Sequence, residues 1–139
     1  MLVLLDSNIL FSALLKADSL PARIVDLWLE GGFRLLTCGE QIEEIRAASR
    51  NLKFRRILHP YDVGILVNNL HRAEVWLGPL PRKHEAIDPA DNYLLDLIEA
   101  AQPDYAVTGD KRSGLLQVGK LGRTRILRAN VFCAKVLHL

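Results

Sequence analysis

No apolar run in this sequence approaches the roughly 20 residues needed to cross a bilayer, so a membrane-spanning helix is not expected. The apolar stretch that opens the chain starts at Met1 with no basic segment ahead of it and is cut short by Asp6. That reads against a signal peptide and for a cytoplasmic protein. Cysteine is scarce: Cys38 and Cys133 lie far apart and lack metal-type spacing. Buried free thiols are expected rather than a disulfide or a zinc site. No glycine-rich loop has Walker or Rossmann spacing, which removes the common phosphate cradles. Ser7 has no histidine near it in sequence, and His59, His71, His84 and His138 share no motif. A nucleophilic triad is therefore not readable, and each histidine is expected at the surface or partly packed. Trp28 and Trp76 fall within apolar periodic segments, so they read as core rather than as base-stacking platforms.

What is present fits one compact domain with a sizeable core: 139 residues, 50% hydrophobic and 24% charged. Net charge is only +2, but it is unevenly spread. Arg46, Arg50, Lys53, Arg55 and Arg56 crowd residues 46–56 with no acid among them. Residues 84–105 carry six acids and no Lys or Arg, and Lys111 to Lys135 carries seven basic residues and no acid. Such segregation suits an acidic pocket bordered by basic surface, a pattern for holding a polyanion near a metal. Clustered but ordinary solvated faces would give the same pattern.

Leu2 to Leu5 reads as a strand buried on both faces, as in a parallel sheet. Asp6 stands at its carboxyl end, and Ser7 and Asn8 are good caps for a helix over Ile9–Leu15. Asp18 or Ser19 can cap a second helix, which Gly31-Gly32 stops. A strand at Phe33–Thr37 and a helix at about Gly39–Ser49 follow, with Ile42 and Ile45 inward. Residues 50–59 suggest a short helix and loop with a basic face, broken by His59-Pro60. A helix over Tyr61–Ala73 and a weak strand over Glu74–Leu77 lead to the rigid connector Gly78-Pro79-Leu80-Pro81. Asp88 reads as the cap of a helix that has Pro89 at its first position, Asp91 in its first turn and an end near Ala101. Tyr105–Thr108 is a strand, followed by a short helix, a strand at Thr124–Leu127 and a last helix at Asn130–Leu137. Alternating strands and helices predict an α/β fold: a three-layer α/β/α sandwich with a parallel sheet of five strands.

The first and fourth strands each deliver an aspartate, Asp6 and Asp110, to the carboxyl edge where ligands of open α/β sheets bind. Glu44 and Asp91 sit on helices packed near the sheet and could point to the same edge. Each has a plainer reading: Asp after a strand is a common cap, Asp91 could complete a capped first turn, and Glu44 could pair with an arginine. Four carboxylates together, however, would repel unless protonated or bound to a cation. Oxygen ligands of this kind suit Mg²⁺ or Mn²⁺.

Leu4-Leu5-Asp6-Ser7-Asn8, Glu44-Ile45, Asp88-Pro89-Ala90-Asp91-Asn92-Tyr93 and Val107-Thr108-Gly109-Asp110-Lys111 together resemble the motifs of PIN-domain ribonucleases. The likeness is nearest to toxin components of bacterial toxin–antitoxin pairs, akin to VapC, and it covers essentially the whole chain. It implies a parallel five-stranded α/β/α fold and Mg²⁺- or Mn²⁺-dependent cleavage of RNA. It makes Asp6, Glu44, Asp91 and Asp110 the metal-binding acids, with Asn8 and Thr108 as polar supports. Arg46, Arg50, Lys53, Arg55, Arg56, Lys111 and Arg112 would then grip the RNA backbone. A small antitoxin is the implied protein partner, and a homodimer is implied by family analogy.

The sequence departs from many relatives after Asp110, where Lys111-Arg112-Ser113-Gly114-Leu115-Leu116 offers no further carboxylate. Asp88 is the rival of Asp91: cap geometry favours Asp88 in structure and Asp91 in chemistry. A non-catalytic scaffold that binds RNA or a protein is the alternative function. A phosphoacceptor receiver domain fits poorly, because the third strand ends Leu77-Gly78-Pro79, without the aspartate such a domain phosphorylates.

Overall fold

The computed structural model describes residues 1–51, 56–85, 89–109 and 114–139. Its strands are β1 (Leu2–Leu5), β2 (Arg34–Cys38), β3 (Glu74–Trp76), β4 (Tyr105–Thr108), β5 (Lys120–Leu121) and β6 (Thr124–Arg128). They form one sheet in the order β3-β2-β1-β4-β6-β5. The five expected strands are parallel to one another. The sixth, β5, is an addition: two residues that fold back antiparallel on β6, pairing Leu121 with Thr124. The chain works outward from β1 to β2 and β3, then returns to lay β4 on the other side of β1. That reversal puts a topological switch point between β1 and β4, with the carboxyl ends of both strands beside it.

Side-chain alternation in the central strands makes the three layers. Val3 and Leu5 of β1 face one core, with Leu35 of β2, Val107 and Phe132. Leu4 faces the other, with Leu36, Ala106 and Ile126. Helices α1 (Ser7–Leu15), α2 (Leu20–Leu29), α3 (Gly39–Ala48) and α4 (Pro60–His71) cover the first face. Helices α5 (Asn92–Ala101) and α6 (Leu115–Val118) cover the second, burying Leu94, Leu95, Leu97, Ile98 and Leu115. Cys38 and Cys133 are free and buried, one in each core, as expected. Among the described residues no helix is long and apolar enough to cross a membrane.

Several element ends differ from the sequence reading, each for a local reason. Helix α1 begins at Ser7, not Ile9, because Asp6 is its cap: the carboxylate accepts the Asn8 main-chain N–H (3.3 Å). Ser7 and Asn8 are thereby moved into the first turn. Helix α2 starts as expected, with the Ser19 hydroxyl accepting from Ala22 N–H (3.3 Å) and Pro21 in the first turn. His59 and Pro60 start α4 one residue ahead of the expected Tyr61, His59 Nδ1 accepting the Tyr61 N–H (3.1 Å). Of the basic face expected near residues 50–59, Lys53 and Arg55 lie outside the described residues, while Arg50 and Arg56 are described. Pro89–Asp91 forms a tight 3₁₀ turn, so Asp91 takes the cap position of α5 rather than a place within its first turn. The last helix starts at α7 (Ala129–Val131) and widens to π-helical winding over Phe132–Leu137.

Phe132 anchors this terminal helix. It is fully buried and meets Phe33 edge-on at 6.1 Å and Tyr105 at 5.7 Å between ring centres. Phe132→Ala should therefore lower the unfolding free energy by about 3–5 kcal/mol in a urea titration. Val118→Ala, at an exposed position, should stay within about 0.5 kcal/mol of the parent.

Candidate active site

Asp6 is where strand pairing, helix capping and charge meet. Its main-chain N–H donates to the Val107 carbonyl (2.9 Å), which extends the pairing of β1 with β4 by one residue. One carboxylate oxygen, Oδ1, takes the Asn8 N–H at the head of α1. The other, Oδ2, accepts the Thr108 hydroxyl at 2.8 Å. Both side chains are buried, Asp6 to 4% exposure and Thr108 to 1%. The Thr108–Asp6 bond thus spans the switch point, joining the last residue of β4 to the first residue after β1. A carboxylate at a helix head is stabilised by the helix dipole. The plain reading of Asp6 as a cap and the chemical one are satisfied by the same side chain.

A second carboxylate is held one residue away. Ser7 and Glu44 make a short hydrogen bond, the serine hydroxyl donating to Oε1. The Tyr93 hydroxyl donates to the same oxygen at 2.7 Å and lies 3.3 Å from Ser7 Oγ. Burial, then the neighbouring Glu44 charge, pushes the Tyr93 phenol well above its ordinary range, so it stays protonated and remains a donor. Beneath them Gln41 Nε2 donates to the Leu5 carbonyl (2.7 Å) and lies 3.4 Å from Ser7 Oγ. The Thr37 hydroxyl donates to Gln41 Oε1 at 2.6 Å. Gln41 and Glu44 are three apart on α3, so one helical face supplies both. Among the described residues no buried side-chain nitrogen or oxygen lacks a partner.

The expected site residues fall into three groups. Asp6, Thr108 and Glu44 are joined at the edge through Ser7. Asn8 serves Asp6 through its main-chain N–H, its side chain being exposed. Asp91 is half-buried at the head of α5, two residues before the tyrosine that reaches Glu44. Asp110 and its basic neighbours Lys111 and Arg112, with Lys53, Arg55 and the rival acid Asp88, lie outside the described residues. Of the basic residues that are described, Arg50 and Arg56 are exposed. Arg46 pairs with Glu43 (2.5 Å) and lies 3.3 Å from His71 Nε2, tying α3 to α4.

Ser7, Gln41, Tyr93 and Thr37 were not singled out by the sequence reading as parts of a site. Gln41 carried a usable signal, since it is a buried-side polar residue one turn before Glu44.

Among the described residues no group of three or more His, Cys, Asp or Glu is arranged to hold a metal ion. The described pair nevertheless suits a hard cation in its chemistry. Magnesium is often held by only one or two protein carboxylates, with water and phosphate oxygens filling the rest. Both donors to Glu44 land on Oε1, which leaves Oε2 without a competing donor among the described residues. The cavity directly under Asp6 and Thr108 is only about 10 Å³ and is otherwise walled by apolar side chains such as Leu4, Leu94 and Ile126. It has room for no more than about one water, so a substrate must approach from outside the strand ends.

A family model described as PIN domain matches residues 2–112. No curated protein and no solved structure matches the chain.

The Thr108–Asp6 bond can be tested without a substrate. Thr108→Val keeps the shape but withdraws the hydroxyl from a buried carboxylate oxygen, and should cost about 1–3 kcal/mol of stability in denaturant. Thr108→Ser should restore most of that loss. Equal stability of the Val variant and the parent would show that the bond holds nothing.

Proposed function

This chain belongs to the PIN-domain family, a nuclease-like fold, and from that premise we propose that it is a metal-dependent endoribonuclease. The observation that carries the reading is the Thr108–Asp6 bond at the switch point, beside a second carboxylate that Ser7 and Tyr93 hold in one orientation. Asp6, Glu44, Asp91 and Asp110 would hold Mg²⁺ or Mn²⁺, with Thr108 and the Asn8 main chain as supports. When bound, such an ion lowers the pKa of a coordinated water and neutralises charge on a phosphodiester.

The chain's own residues supply the positioning. Thr108 and the head of α1 fix both oxygens of Asp6, so that its carboxylate does not swing between rotamers. Ser7 and the protonated Tyr93 occupy Oε1 of Glu44 and leave Oε2 without a donor among the described residues, so that a water or cation can be bound there. Arg50 and Arg56, with Arg46, Lys53, Arg55, Lys111 and Arg112, would supply cationic contacts to the RNA backbone. A toxin role, paired with a small antitoxin and exerted as a homodimer in the cytoplasm, is the biological setting we propose.

A second reading is a non-catalytic scaffold that binds RNA or a protein. Cleavage separates the two. Purified protein should cut single-stranded RNA with Mn²⁺ or Mg²⁺ and stop with EDTA, and Mn²⁺ should raise its melting temperature at neutral pH. Asp6→Asn and Glu44→Gln should each abolish cutting while keeping a native far-UV circular dichroism spectrum. RNA binding without cleavage under any divalent ion would support the scaffold, and full activity in either variant would sink the proposed site.

A further inference from the structure

Beside the carboxylates lies a groove of about 420 Å³, lined by Glu40, Arg82, His84, Asn92, Tyr93 and Asp96. Its size falls within the range of pockets that take a nucleotide-sized ligand. Tyr93 is the shared wall: it lines the groove while its hydroxyl holds Glu44. Whatever occupies the groove is therefore next to the proposed site.

The far wall is a strap fastened to α5. Asp96, only 2% exposed, accepts the main-chain N–H groups of Lys83 (3.3 Å) and His84 (3.1 Å) through one oxygen, Oδ1. Glu99 pairs with Lys83 Nζ and with His84 Nε2, each at 2.8 Å. The Lys83 ammonium, then His84, holds the Glu99 carboxyl below its usual range despite an opposing desolvation effect. Arg82, the residue just ahead of these anchors, has φ of 60°. Non-glycine residues adopt that left-handed backbone uncommonly, and where they do the surroundings impose it. Its guanidinium stands over the groove in a pair with Glu40 (2.7 Å), exposed at both partners, 65% and 40%. An exposed pair is weak and readily exchanged. The Glu40 carboxylate marks a position in which an anionic oxygen meets the arginine fork.

We infer that Arg82 is a phosphate clamp for single-stranded RNA. The groove receives the sugar–phosphate backbone next to the scissile bond, and Glu40 occupies the guanidinium until a phosphate displaces it. Arginine suits this exchange because its planar donor fork fits carboxylate and phosphate alike. The inference rests on the ribonuclease reading and names a substrate contact that reading lacks.

The test uses the full chain in EDTA, with a fluorescently labelled single-stranded RNA of mixed sequence followed by anisotropy over a series of salt concentrations. Arg82→Gln should raise Kd about tenfold at low salt and flatten the log–log salt slope by about 0.7. Glu40→Gln, which breaks the same ion pair from the other side, should instead tighten binding by about threefold. The exposed pair Arg34–Glu74 (3.2 Å) stands at the opposite, amino ends of β2 and β3 and serves as the charge control. Arg34→Gln and Glu74→Gln should each leave Kd within about twofold. Movement of Kd in the same direction by both groove variants would mean a structural pair only. An Arg34→Gln effect as large as that of Arg82→Gln would mean diffuse electrostatics, and either result overturns the clamp. A parent that binds and cuts RNA while Arg82→Gln changes nothing overturns the clamp alone; a parent that neither binds nor cuts overturns both readings.

Discussion

The bond between the Thr108 hydroxyl and Asp6 fastens the carboxyl ends of β1 and β4 by side chains at the point where their backbone pairing ends. Parallel strands are joined by their ladders, but the loops that leave their carboxyl ends are free to diverge. Here the loop leaving β1 is fastened to the end of β4 by a buried side-chain contact. Because the same carboxylate caps α1, it also sets where that helix starts and hence where Ser7 stands. Ser7 in turn holds Glu44 of α3, and Tyr93 brings the head of α5 to the same oxygen. Five elements are thus registered at one point of the edge by short polar contacts, each of which needs the previous one in place. In a buried site such a network is worth having only when every member is satisfied, and that condition is met among the described residues.

Glu44 differs from the acids around it in how its charge is met. Glu40, Glu43, Glu74 and Glu99 each have a cationic partner: Arg82, Arg46, Arg34 and Lys83. Glu44 is held by hydroxyls, which fix its direction without cancelling its charge. A negative charge kept oriented at a half-buried position and, among the described residues, without a cationic partner is what a hard cation requires of a ligand. An arginine partner would have satisfied the same carboxylate and left nothing to attract one.

The layers were legible in the sequence because the signal there is strong and local. The apolar run ahead of Asp6, the capped start at Ser19 and the strand at Tyr105–Thr108 each carry their own evidence within a few residues. Asp6 was legible as the edge acid and, in its plainer reading, as a cap, but the helix start was not, because Ser7 and Asn8 are equally good cap residues and spacing cannot choose among three candidates in a row. The polar network was hidden for a different reason. Tyr93 and Glu44 are 49 positions apart, and Gln41 finds the Leu5 carbonyl across 36. No periodicity reports a partner at that distance, so the sequence offers Tyr93 only as the last residue of the motif that starts at Asp88, with no tie to Glu44. Strand β5 escaped because two residues have no alternation to detect, and the π-helical end escaped because its apolar spacing still resembles an ordinary helix.

The two margins of the sheet have a bearing on how the protein behaves in company. A parallel sheet this apolar would, if its outer strands were long and flat, offer a template on which a second molecule could lay its own strand. Neither outer strand invites that. On one side β3 is three residues long and runs at once into Leu77-Gly78-Pro79, where proline cannot donate to a neighbouring ladder. On the other, β5 is two residues long, reversed in direction and begins with a lysine. Short, turned-back and charged margins are the devices by which natural sheets discourage edge-to-edge growth. For a small protein with a large apolar fraction, they favour contacts with other molecules through helices and loops over contacts through the sheet itself.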